Sequence, residues 1–222
     1  MDWRAFEISL SLAFWTLAFL VPLSTMIART LAWRQFPGRG LVEALVALPL
    51  VLPPTVLGFY LLESFGADSL IGGLYQKLTG ELLAFSFQGL LVASIIFNLP
   101  FAVQPIQRSF EAIQPNIREA AWVSGLSNWS TFWRIELPLA WPGFVSALAL
   151  TFAHTLGEFG VVLMVGGNIG GETRTAAIAI YDRVQAFDSA SAAKMSALLL
   201  LLSIVAITVV NLTTRRQRRS RG

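Results

Sequence analysis

The chain has 222 residues, of which 55% are hydrophobic and only 13% charged, and its mean hydropathy is +0.65. A soluble domain carries about 25% charged residues, so composition excludes a water-facing shell around one core and requires much of the surface to face lipid. Cysteine is absent and histidine occurs once, at His154, which excludes a disulfide framework, a thiolate metal site and a histidine-rich metal cluster.

The head, MDWRAFE, sets one Arg against an Asp and a Glu. A signal peptide needs a positive head and a shorter apolar core, so the first apolar segment reads as a retained helix. Five windows then lack Asp, Glu, Lys and Arg: 8–28, 44–62, 82–107, 137–157 and 195–214, of 21, 19, 26, 21 and 20 residues. About 20 apolar residues cross a bilayer as a helix, and a central charge costs about 3 kcal/mol on the insertion scale. The chain is therefore expected to be an all-α polytopic membrane protein, one transmembrane domain over 1–222. Its spans are expected at about 8–28, 41–62, 82–105, 138–157 and 192–214. A sixth apolar run, Val161 to Ile169, is too short to span and reads as a helix extension, a loop or a re-entrant piece.

Span two holds Pro49, Pro53 and Pro54, followed by Thr55. Each proline removes one helical hydrogen bond, and the freed carbonyls need protein or water, so this span is expected to kink and to line a pathway. Span three places Asn98 before Leu99-Pro100 with the same consequence.

Between spans three and four lies REAAWVSGLSNWSTFWRIELP, starting at Arg118. Asn116 is a fair N-cap, with Glu119 at the third helical position as in a capping box. Gly125 suits a left-handed helix end, Ser127 or Asn128 a second cap, and Pro138 the start of the next span. The expected product is a helix–turn–helix at 116–137 with small residues and tryptophans exposed. On these grounds alone it serves equally as a protein docking face or as an amphipathic hairpin resting on lipid.

Span four carries Thr151, His154, Thr155 and Glu158. His154 and Glu158 share a helix face, and a structural pair near the membrane boundary is a better reading than a proton relay. LGEFG at 156–160 flanks Glu158 and Phe159 with glycines, Gly160 being the second, and reads as a bendable gate. None of the five windows holds a Lys or Arg.

Eleven of the 16 Lys and Arg residues fall in 29–40, 108–136 and the tail RRQRRSRG, all on one side of a five-span chain. That side is expected to be cytoplasmic, with the N-terminus outside and the C-terminus inside. The tail reads as an anchor against anionic lipid, not as a nucleic-acid site.

Glu119-Ala120-Ala121, three residues, Gly125, nine residues, Ile135, one residue and Leu137-Pro138 matches at every defined position the EAA loop of type I ABC importer permeases, which the chain resembles. LPLVLPPTVLGFYLL at 48–62 and LGEFGVVLMVGGNIGGETRT at 156–175, with AIAIYD at 177–182, resemble in particular the molybdate importer permeases. That family usually has proline where Gly170 stands. The resemblance implies an oxyanion importer of the bacterial inner membrane, with sulfate, thiosulfate or tungstate as the alternative cargo. It implies a homodimer around a central path and two copies of an ATPase gripped by Arg118, Glu119, Ala120, Ala121 and Gly125 together with Ile135, Leu137 and Pro138. It also implies an extracytoplasmic binding protein meeting loops 63–81 and 158–191, and no cofactor. A membrane-embedded enzyme is the rival class, but no two acids share a span and neither HExxH nor GxSxG occurs.

Overall fold

The computed structural model describes residues 1–219, with side chains described for 1–208. No strand occurs among them. The basic tail expected to anchor at lipid has its side chains outside the described residues.

Helix α1 (Trp3–Trp33) begins where the Asp2 carboxylate accepts from the Ala5 N–H at 3.1 Å. It overruns the 8–28 window at both ends, because a charge-free window marks only the hydrocarbon core. The helix itself continues through the Arg4–Glu7 ion pair and through Arg29.

The second span differs from expectation. It is two helices, α2 (Arg39–Val51) and α3 (Pro54–Phe65), bent by 112° at the break. Leu52 and Pro53 each precede a proline, which bars both from the helical region, and their ψ angles are 135° and 138°. The chain therefore turns between the two helices instead of kinking within one. Loop 63–81 contains a further helix, α4 (Leu70–Thr79), capped by the Ser69 hydroxyl, which accepts from the Gly72 N–H at 2.9 Å.

Helix α5 (Phe87–Glu111) is the central element, packed on α1, α2, α8 and α9. It is followed by α6 (Pro115–Val123), then α7 (Asn128–Thr131), a π turn (Phe132–Glu136) and α8 (Leu137–Gly157), the last three forming one continuous 30-residue helix. The expectation that Pro138 opens a separate span is corrected here. The run Val161 to Ile169 forms α9 (Gly160–Gly166), a short helix buried against α3 and α5. Helices α10 (Ala176–Gln185) and α11 (Ser189–Arg219) complete the chain.

Two apolar clusters fix the directions. Leu12 of α1 packs with Leu90 and Ala93 of α5, α3 and α9, whereas Leu31 packs with Phe110, Val46 of α2 and Ala140 of α8. Helices α1 and α5 thus run parallel, and α2–α3 must carry the chain back between them. Helix α8 starts beside the C-terminal end of α1 and returns, and Met195 of α11 packs on Ala5 and Phe6. The chain therefore traverses the bundle five times, with the bent pair as the second pass. Close approach comes from small residues, since helices in lipid gain most from packing. At Gly143 of α8 an added Cβ would lie 2.5 Å from the Pro105 carbonyl of α5.

Candidate functional site

At the end where α1 stops and α8 begins, α6 lies across the bundle. Its N-cap is Gln114, with Pro115 as the first helical residue and no side-chain cap bond. The expected Asn116 cap with Glu119 in a capping box does not form. Proline at N1 brings its φ already set, and this moves the boundary two residues upstream. The far end is as read. Gly125 has φ +84°, the Leu126 N–H donates to the Ala121 carbonyl at 3.0 Å, and the Ser127 hydroxyl accepts from the Ser130 N–H. Glu119 and Ala120 are exposed with Ile117, Trp122 and Val123, but Ala121 faces inward.

The π turn has a local cause. Pro138 has no N–H, and its ring would strike the Arg134 carbonyl of a regular helix. The turn before it widens, so that the Leu137 N–H donates to the Phe132 carbonyl five residues back. Ile135 and Leu137 are half-buried and Pro138 is exposed.

Behind this face sits Glu136, whose side chain is 0% exposed. Arg29 Nε donates to its Oε2 at 2.6 Å and Arg118 Nε to its Oε1 at 2.8 Å. The Arg118 guanidinium stacks over the Trp33 ring at 4.0 Å and the Trp122 ring at 4.8 Å. Arg118, read as part of the docking face, is thus turned inward and ties α6 to α1 and to the start of α8. The sequence pointed to neither Arg29 nor Glu136. Glu136 sat unremarked at the free position between Ile135 and Leu137-Pro138, and Arg29 is 107 residues away.

The pathway candidates gather toward the other end. Asn98, Thr151 and Thr155 are buried. The Thr155 hydroxyl donates to the Thr151 carbonyl, so it must accept from Asn98 Nδ2, at 2.9 Å. That orients Asn98 Oδ1 toward His154 Nδ1 at 3.1 Å and assigns the proton there, leaving Nε2 at 3.9 Å from Glu158 Oε2. The chain continues through Ser94 to Thr16 of α1. The Thr151 hydroxyl has no hydrogen-bond partner among the described residues. Glu158 Oε1 accepts from the Val161 N–H at 2.9 Å and so caps α9. Phe159 packs on Tyr181 with ring centroids 4.8 Å apart. Pro53, Pro54 and Thr55 are exposed, and Pro54 meets Gly160 so closely that a Cβ there would lie 2.9 Å from the Pro54 Cβ. The break in the second span and the LGEFG segment are therefore one site.

Residues 20–219 match the model of the family described as binding-protein-dependent transport system inner membrane component. The chain belongs to that family. It is thus an inner-membrane transport component. It is 47% identical over 206 residues to the molybdenum transport system permease protein ModB of Azotobacter vinelandii, covering 93% of this chain and 91% of that one. It is 33% identical to ModB of Escherichia coli K12 over 100% of this chain and 97% of the relative. Against the sulfate transport system permease protein CysT of E. coli K12 it is 32% identical, over 98% and 79%. Among solved structures, a bacterial ABC transporter that imports the acidic polysaccharide alginate aligns with a TM-score of 0.78 at 18% identity, over 96% of this chain and 78% of that one. The inward-facing MetNI methionine ABC transporter aligns at 0.70 and 17%, over 97% and 93%. At those identities the likeness concerns the fold, which is that of ABC importer permeases.

Proposed function

We propose that this chain is the permease of an ATP-driven molybdate importer, working as a homodimer with two ATPase subunits and an extracytoplasmic binding protein. The observation that carries the reading is the 47% identity to a ModB protein across nearly the whole of both chains. The exposed face of α6 docks on the ATPase, and Arg118, Glu136 and Arg29 pass its displacement to α8 and α1. The face formed by Pro53, Pro54, Thr55 and Glu158 to Gly160 lies toward the path, with Phe159 closing it. The N-terminus is outside and the C-terminus inside, because eleven of the 16 Lys and Arg residues fall in sequence segments that a five-pass chain puts on one side.

Uptake tests the cargo. Membrane vesicles holding the permease, its ATPase and its binding protein should accumulate labelled molybdate with ATP, and a tenfold excess of sulfate should leave the rate nearly unchanged. Sulfate uptake at a comparable rate would replace molybdate by sulfate as the cargo, a reading that the CysT relatives favour next. Closure by Phe159 has its own check. A cysteine at 159 should cross-link to its copy in the resting dimer and lose that cross-link when loaded binding protein and ATP are added.

A further inference from the structure

A groove of about 1000 Å³ runs between the last turns of α1 and the α7–α8 segment. Its walls change character along its length. At one end lie Val21, Pro22 and Phe144, and at the other Trp33, Trp129 and Trp133. Arg29, Arg34 and Arg118 line it and no carboxylate does. Glu136, behind the wall, offsets one of the two arginines it binds, so the mouth keeps a net charge of +2. From Val21 to Arg34 helix α1 rises about 20 Å at 1.5 Å per residue. One bilayer leaflet with its headgroups is about 20 Å deep.

Length, apolar depth and a cationic, tryptophan-rich mouth together match one amphiphile standing upright in a leaflet. A soluble partner reaches only the mouth, because Val21, Pro22 and Phe144 lie within helices of spanning length. A second copy meeting this face two-fold symmetrically would set +2 against +2. We propose that the groove binds one anionic phospholipid, its phosphate at Arg34 and its acyl chains along Pro22, Met26 and Phe144. The bound lipid then touches Arg29 and Arg118, the residues that hold α6 to the bundle, so headgroup charge reaches the docking helix directly.

The test uses the assembled transporter, reconstituted in equal phosphatidylglycerol and phosphatidylethanolamine and released into the gas phase for native mass spectrometry of retained lipid. The wild type should keep phosphatidylglycerol in excess. Arg34→Gln, at an exposed position, should lower the phosphatidylglycerol-to-phosphatidylethanolamine ratio about five-fold, the effect of about one cation at a membrane surface. Met26→Trp fills the groove without touching its charge and should expel both lipids. Equal retention of the two lipids by the wild type, or wild-type retention by both variants, overturns the proposal. So does a photo-reactive group at position 26 that labels the ATPase or a second permease instead of lipid.

Discussion

Glu136 is the residue on which most at this end depends. It is a carboxylate with no exposure, held by two guanidiniums at 2.6 and 2.8 Å. Removing one member of a buried ion cluster leaves charge without compensation and costs about 3–5 kcal/mol. Both arginines are partly exposed, at 31% and 14%, so water recovers some of that loss and the lower end applies. Glu136→Gln should therefore lower the Tm of the purified permease by about 6–12 °C, at about 2–4 °C per kcal/mol for a chain of this size. It should also raise ATP hydrolysis per ion transported, because α6 is no longer tied to α1. A Tm loss with unchanged coupling would make the cluster a fastener only. At Gly125 the prediction is smaller. Its φ of +84° is left-handed and no atom lies within 4 Å of an added Cβ, so Gly125→Ala should cost only the backbone strain, about 1–2 kcal/mol. Thermal unfolding of the pair measures the difference. The left-handed turn at Gly125 and the Ser127 cap were legible because both are local. The Glu136 cluster was not, because its partners come from three separate elements and no spacing rule joins Arg29 to Glu136. Asn116 misled for a local reason: the competing signal, Pro115, stood directly before it.

At the scale of elements, prolines explain where the sequence reading held and where it failed. Each charge-free window falls on one helix or on the bent pair, but helix ends moved by several residues because helices continue into the charged interface. Pairs of prolines carry more than kinks. Leu52 and Pro53 are both extended, and α2 and α3 part by 112°. Replacing Pro54 by Ala frees Pro53 to become helical and restores one N–H donor. The bend should narrow, drawing Pro54 away from Gly160, where an added Cβ would now lie 2.9 Å from the Pro54 Cβ. A spin-label pair at exposed Val51 and Thr55 should report a changed separation, and an unaltered one would mean that packing against α9, not proline, sets the angle. Short helices such as α4 and α9 could not be found from periodicity, since each is ten residues or fewer and packs on a neighbour. Their caps, Ser69 and Glu158, were the available signals. Glu158 fills both of the structural roles open to it, capping α9 through the Val161 N–H and lying 3.9 Å from His154.

For the molecule as a whole, the parity of the passes decides which surfaces can meet the ATPase and which the binding protein. Leu12 packs beside Leu90 and Leu31 beside Phe110, so α1 and α5 point the same way. A bent pair that dipped into the membrane and returned would place the start of α5 at the wrong end for those contacts. Five traversals follow, with residues on either side of the bent pair on opposite faces of the membrane. Gly38 and Gly80 are suitable places to read this, since each has positive φ and nothing within 4 Å of an added Cβ. An insertion at Gly72 would instead drive a side chain into the Phe65 and Gly66 carbonyls. A reporter at Gly38 and one fused after Gly222 should both report cytoplasm, and one at Gly80 the outside. If Gly38 and Gly80 report the same side, the bent pair is re-entrant, and the parallel packing of α1 on α5 is wrong with it. If the two differ but the signs are reversed, the five passes stand and the arginine-rich end faces out. In that case α6 cannot reach an ATP-hydrolysing partner in the cytoplasm, and the coupling role of Glu119 and Ala120 falls whatever the cargo.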